Sequence, residues 1–375
     1  MHTVVYDHQI FSHQEFGGVS RYFCELAGRV QGSSAWRARV IAPLHYNRYL
    51  AESDVPTVGI YAPLAFAKLA KVYALFNDLI CPPLLKLTGS DLLHQTYYGA
   101  KAETGRGPFV ITVYDMIHEL LPQYFSAEDP IPRLKRKLIE TADHIICISR
   151  RTADDLIAIL GVPPAKISVT HLAFSEIFAA PPAAGGGPMS HDGRPYLLYV
   201  GKRDGYKNFS RVFDAYSSSA HLCGKFDLIA FGGGAFTSQE LARFAGSGRR
   251  PNSIRHLSGD DAALARLYAG ARAFVYPSEY EGFGIPPLEA MACGCAVVCS
   301  NTSSIPEVVG QAGEYFDPTN VESMRAALEK VAFDEARHDE LVSAGRLRSR
   351  LFSWDRCAAE TMAVYEKVID GYSSK

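Results

Sequence analysis

The strongest constraint on the fold is an alternation that runs the length of the chain. Short runs of Val, Ile, Leu, Phe and Tyr, bounded by Gly, Pro or polar residues, alternate with segments of helical spacing. Residues 3–6, 38–41, 92–95, 109–113 and 144–148 form one set of such runs, and 196–200, 227–231, 254–257, 273–276 and 296–299 a second. Near-continuous apolar strands are covered on both faces, and strands alternating with helices build parallel sheets. The predicted class is therefore α/β, with two Rossmann-like domains whose sheets face each other across a cleft. A length of 375 residues agrees, since single cores rarely grow past about 250–300 residues.

The expected division is residues 1–180, a Pro- and Gly-rich linker at 181–194, and 195–354. Trp354, Ala358, Thr361, Met362, Tyr365, Val368 and Ile369 recur at helical spacing, so 355–375 should form a last helix. It is free to cross back to the first domain, but periodicity does not say which domain it meets.

A formal charge of −2 argues against a nucleic-acid binder. The N-terminus lacks a basic start and apolar core of signal-peptide type, and the longest apolar stretch, Leu64 to Leu87, is broken by Lys68, Lys71, Asp78 and Lys86. The expected location is cytoplasmic, with peripheral attachment to the inner membrane left open. Eight cysteines in such a chain read as reduced thiols, and Cys293, Cys295 and Cys299 in AMACGCAVVCS read as small buried residues instead of metal ligands.

In doubly wound sheets, ligands gather where strands end and helices begin, because backbone N–H groups are unpaired there. Two segments fit that position. YLLYVGKRDGYKNFSRVFDAY places Arg203 and Lys207 in the loop after a strand, where two cations can neutralise a departing diphosphate; two solvated surface cations are the plainer alternative. YPSEYEGFGIPPLEAMACGCAVV places Glu281 at the start of a loop and Glu289 in the first turn of the following helix. Gly282 and Gly284 let the backbone amides of Phe283, Gly284 and Ile285 approach a ligand, and each carboxylate can accept from sugar hydroxyls. Gly232 and Gly233 follow another strand, and Gly17 and Gly18 follow the first. By composition, either glycine pair is a ligand loop or a plain flexible one.

EGFGIPPLE resembles the Glu-x7-Glu signature of the retaining glycosyltransferases of group 1, which have the GT-B fold. DHQIFSHQEFGGVSRY, ISRRTADDL, GKRDGYKN and FSWDRCA extend the likeness over essentially the whole chain. The resemblance implies that Arg203 and Lys207 hold the diphosphate, Glu281 the transferred sugar and Glu289 the ribose. It also favours donor contacts at Gly17 and Gly18. It further implies a nucleotide-sugar substrate, GDP-mannose ahead of a UDP-sugar, with no cofactor and no metal. Transfer would proceed with retention by front-face attack, to a saccharide or lipid-linked acceptor of surface polysaccharide.

The acceptor side falls on VITVYDMIHELLP. Relatives carry His-Asp where this chain has Tyr114-Asp115, so Asp115 is the first candidate to orient the acceptor hydroxyl and His118 the second; an Asp capping the next turn is the competing reading. PRLKRKLIE, with Arg133, Lys135, Arg136 and Lys137 beside Leu134, Leu138 and Ile139, and LAFAKLAKVYALFNDLI are either leaflet-docking segments or ordinary helix faces. An epimerase of related fold and a silent sugar-nucleotide binder are the rival functions.

Overall fold

The computed structural model describes residues 1–63, 69–99, 107–179, 193–246, 250 and 252–374, without the side chains of 69–71. The chain divides into two compact units, Met1–Leu172 with Ser353–Lys375, and Ala173–Phe352. Most of the expected linker, 181–192, lies outside the described residues. The turn Glu176–Phe178, read from sequence as part of the first domain, lies in unit 2, where Phe178 meets the Tyr268 ring edge-on at 6.0 Å.

Unit 1 holds seven strands: β1 (His2–Tyr6), β2 (Trp36–His45), β3 (Thr57–Tyr61), β4 (Leu92–Gln95), β5 (Phe109–Val113), β6 (His144–Cys147) and β7 (Ile167–Val169). Unit 2 holds six: β8 (Tyr196–Val200), β9 (Asp227–Phe231), β10 (Ile254–Leu257), β11 (Ala273–Tyr276), β12 (Val297–Ser300) and β13 (Gly313–Phe316). The orders are β3-β2-β1-β4-β5-β6-β7 and β10-β9-β8-β11-β12-β13, and every pairing is parallel. Each unit is thus a doubly wound, Rossmann-like α/β domain, as the alternation predicts. Strand order reverses between β1 and β4 in unit 1 and between β8 and β11 in unit 2, and each reversal opens a crevice at the carboxyl ends.

Three strands escape a sequence reading. β3 is an edge strand with outward-facing Val58, Ile60 and Tyr61, β7 has only three residues, and β13 opens on Gly-Glu. None carries the buried apolar run that identifies a central strand.

The helix Trp354–Ser373 belongs to unit 1 and packs on the helix Gly18–Gln31. A buried polar chain fixes it: His94 Nδ1 meets Tyr365 Oη at 2.6 Å, His94 Nε2 meets Thr112 Oγ1 at 2.8 Å, and Tyr6 Oη lies 3.2 Å from Tyr365 Oη. Burial pushes the imidazole down to about 3, so His94 is neutral and can donate through one nitrogen only. Replacing Tyr365 by Phe would strand a buried nitrogen, at a cost of about 1–3 kcal/mol.

Cys299, in β12, and Cys295, just before it, are buried, and burial pushes the half-buried Cys293 thiol up to about 12. Among the described residues, no helix is long and apolar enough to cross a membrane.

The two basic-apolar segments differ, and Lys135 is corrected from the basic face to the interior. In the helix Ile131–Thr141, Lys135 is buried and paired with Glu119 at 2.7 Å, while Leu138 and Ile139 face the core. Arg133, Arg136, Lys137, Glu140 and Thr141 are exposed and Leu134 is half-buried, so the solvent face of this helix is mainly polar. In the helix Leu69–Thr88, Asn77, Cys81 and Leu85 face inward; Asn77 Oδ1 accepts from Leu44 N–H at 2.9 Å. Val72, Leu75, Phe76 and Leu79 turn to solvent, with Leu75 and Leu79 each 73% exposed. Leu64–Lys68 of that segment lie outside the described residues.

Candidate active site: two crevices

At the crevice of unit 2, β8 is followed by Gly201, and the chain turns through Gly205–Lys207 into Asn208. Asn208 adopts φ 63°, a left-handed conformation Asn tolerates better than most residues. Its buried Nδ2 donates to the carbonyls of Pro277 at 3.0 Å and Pro318 at 2.8 Å, tying this loop to the end of β11. That tie brings Lys207 Nζ to 2.7 Å from Glu281 Oε1, so two candidates 74 residues apart form one ion pair. The Glu281 side chain is 13% exposed and that of Lys207 25%, so water screens the pair only in part.

The Glu281 loop is clasped from the other side. Its N–H donates to Ser303 Oγ at 3.0 Å, and the buried Ser304 Oγ donates to the carbonyls of Glu281 at 2.8 Å and Phe283 at 2.7 Å. Phe283 turns inward against Phe352, 5.9 Å between centroids. Gly284 has φ 126°, open to glycine alone, and starts the helix Ile285–Ala292. Glu289 is the fifth residue of that helix, one residue past the first turn read from sequence, because the helix begins at Ile285 and not at Pro286. It is buried, with Tyr268 Oη 3.3 Å from its Oε2.

Arg203 is engaged differently. Its Nε meets Glu240 Oε1 at 2.7 Å, Nη1 donates to the carbonyls of Gly232 at 3.2 Å and Gly234 at 2.9 Å, and Nη2 to that of Ala235 at 2.9 Å. The guanidinium therefore braces the glycine loop after β9. Gly232, Gly233 and Gly234 all have positive φ, and a Cβ on Gly233 would lie 2.4 Å from Gly201 O. These glycines let two backbone segments touch. Burial pushes the Glu240 carboxyl up, but its bonds to Arg203 and Thr237 hold it below the ordinary range.

The crevice of unit 1 has another chemistry. Asp7 follows β1 and is fully buried; its Oδ1 accepts from Thr96 N–H at 2.8 Å and Thr96 Oγ1 at 2.5 Å. Burial raises its pKa to about 7, against the pull of those bonds. His8 is held down at about 3, chiefly by burial and then by the neighbouring His13. Tyr114 Oη donates to Thr96 O at 2.8 Å, so this tyrosine locks the loop.

Asp115 Oδ1 accepts from Ile117 N–H at 3.1 Å, capping the turn, while its carbonyl accepts from Lys135 Nζ at 3.0 Å. His118 stacks on Phe125 at 4.0 Å, with Nε2 3.5 Å from Asp129 Oδ2; its buried Nδ1 has no hydrogen-bond partner among the described residues. Gly17 is extended and Gly18 starts a helix, whose Ser20 Oγ donates to Gly17 O at 3.1 Å.

Asp7, Thr96, Asn208, Ser303 and Ser304 were not singled out from sequence. A polar residue directly after each strand-like run was the available signal for Asp7 and Thr96.

The chain matches the family model described as glycosyl transferases group 1 over residues 188–348 and that described as glycosyltransferase family 4 over residues 16–174. It is similar to the O-antigen chain mannosyltransferase B of Escherichia coli, 32% identical over 266 residues, covering 68% of this chain and 70% of that one. The serotype-specific mannosyltransferase WbdA of the same organism is 31% identical over 338 residues, 84% of this chain but only 41% of WbdA. Among solved structures, Alr3699/HepE from Anabaena in complex with UDP superposes with a TM-score of 0.74 at 16% identity, over 98% of this chain and 100% of that one.

Proposed function

The chain belongs to the glycosyl transferases group 1 family, with the GT-B fold, and on that premise we propose that it is a retaining, metal-independent mannosyltransferase using GDP-mannose. Its acceptor is a saccharide or lipid-linked saccharide in surface polysaccharide assembly. The mannosyl part draws on the two Escherichia coli relatives.

The observation that carries the reading is the Lys207–Glu281 pair beside the Gly284 helix start, at the crevice of unit 2. In the proposed reaction the bond from C1 of mannose to the β-phosphate oxygen breaks, and the diphosphate keeps the electron pair. Lys207 meets the growing negative charge, a contribution of about 2.7–4 kcal/mol. Glu281 holds hydroxyls of the sugar, and Glu289 those of the ribose. The acceptor oxygen bonds to C1 on the face the diphosphate leaves, and its proton passes to the departing phosphate oxygen. Asp115 orients the acceptor hydroxyl. Arg203 acts through the glycine loop it braces, keeping the backbone of Gly232 and Gly233 set for the diphosphate.

The apolar stripe Val72, Leu75, Phe76 and Leu79 supports peripheral contact with the cytoplasmic leaflet. A thermal-shift panel of GDP, GDP-mannose, UDP and UDP-glucose, followed by transfer to manno-oligosaccharides with and without EDTA, tests the reading. Stabilisation by GDP and EDTA-resistant transfer are expected. A response to UDP alone would replace the donor, and conversion of free GDP-mannose to another sugar nucleotide would make the protein an epimerase.

A further inference from the structure

The loop after β4 reads Thr96-Tyr97-Tyr98-Gly99. Thr96 and Tyr98 are buried, and Tyr97 between them is half-buried. The backbone under it is held at three points. Asp7 accepts both donors of Thr96, Tyr114 Oη donates to Thr96 O, and Gln95 Nε2 donates to Tyr97 O at 3.0 Å. Rings back the tyrosine: Tyr98 at 4.9 Å, His13 at 6.1 Å and Tyr114 at 6.2 Å between centroids.

Two carboxylates act on its phenol. Burial first, then the charges of Asp115 and Asp129, push Tyr97 up to about 12. This combination selects its ligand. A pyranose presents an apolar C–H face, which stacks on an aromatic ring, and a rim of hydroxyls, which donate to carboxylates. The charges of Asp115 and Asp129 that act on this phenol also repel phosphate, which favours a neutral sugar over the donor's diphosphate. A ring on an anchored loop also loses little freedom when it binds.

We propose that Tyr97 is the stacking platform for the acceptor's sugar ring, and that Asp7 is the positioning residue that holds it there through Thr96. This rests on the glycosyltransferase reading, and it names which side chains of unit 1 choose the acceptor.

Saturation-transfer NMR with methyl α-mannopyranoside and an α-linked mannotriose tests it without turnover. Wild type should bind the trisaccharide saturably. Tyr97→Ala should weaken binding at least tenfold, whereas Tyr97→Phe, which keeps the ring, should stay within about twofold. Asp7→Ala should weaken it as well, and Asp7→Asn, which keeps the Oδ1 acceptor, should restore it. In the transfer assay, Tyr97→Ala should raise the acceptor KM more than it lowers kcat. No saturable saccharide binding by wild type, or Tyr97→Ala binding like wild type, overturns the proposal. Failure of wild type to turn over any nucleotide sugar is a separate result, and it counts against the glycosyltransferase reading.

Discussion

The two crevices share one topology and differ in what fills them. In unit 2 the loop after β8 is joined to the loops after β9, β11 and β13 by charge and by backbone contact: Lys207 on Glu281, Asn208 on the carbonyls of Pro277 and Pro318, Gly201 against Gly233. In unit 1 the loops after β1 and β4 are joined by a buried carboxyl on a threonine, with the half-buried Tyr97 beside the buried Tyr98. On the proposed function, the first takes the donor's diphosphate and the second the neutral acceptor. A doubly wound sheet thus dictates where binding occurs, and the residues at the reversal of strand order dictate what is bound.

The comparison breaks most visibly if the ion pair of unit 2 is dispensable. Glu281→Ala and Lys207→Ala should each lower the transfer rate by about 100-fold or more, and the double variant should lose less than the product of the two, since the residues act on each other. Near-normal initial rates in both single variants would remove the chemistry assigned to unit 2. Next in size is Gly233→Ala, whose methyl meets a carbonyl at positive φ. Strain of about 1–3 kcal/mol should lower the Tm and weaken nucleotide stabilisation, and an unchanged melt would deny the backbone contact.

A smaller effect sharpens the contrast from the side of unit 1. The Asp7 pKa rises from 3.8 unfolded to about 7 folded, so its contribution to stability is complete below 3.8 and is lost as pH climbs through 7. Relative to wild type, Asp7→Asn should therefore be more stable at pH 8 than at pH 5; a difference in Tm that does not change with pH would refute the buried carboxyl. His8 and His94 act in the opposite sense, since both fall from 6.5 to about 3 and their contribution disappears on acidification between those values. The smallest effect on stability belongs to Leu75→Asp with Leu79→Asp. Both positions are exposed, so melting should shift by no more than about 0.5 kcal/mol per residue while flotation with anionic vesicles is lost. Retained flotation would shift lipid contact elsewhere.

The sheets were legible because their central strands are buried runs of β-branched and aromatic residues. The bounds read for β4, β5, β8, β9, β10 and β11 match the structure to the residue, β10 (Ile-Arg-His-Leu) being a half-buried edge strand. Lys207 and Glu281 were legible as charges beside glycines, at positions where a strand must end. Asp7 and Ser304 were not, because their roles come from partners far away in sequence, Thr96 and the carbonyls of Glu281 and Phe283. The same distance effect misled the reading of Lys135. Its spacing suggests a surface cation, but Glu119 and the Asp115 carbonyl draw it into the interior.

Unit 1 is interrupted: it is left at Leu172 and resumed at Ser353, with all of unit 2 in between. During synthesis, the hollow beside Tyr6, Tyr22 and His94 must wait for Trp354 and Tyr365 until some 180 intervening residues, on the order of one domain, have left the ribosome. Until then a greasy, hydrogen-bond-hungry seam stands open, a natural foothold for chaperones. A nascent chain stalled before Ser353 should be far more vulnerable to proteolysis in its first half than in its second.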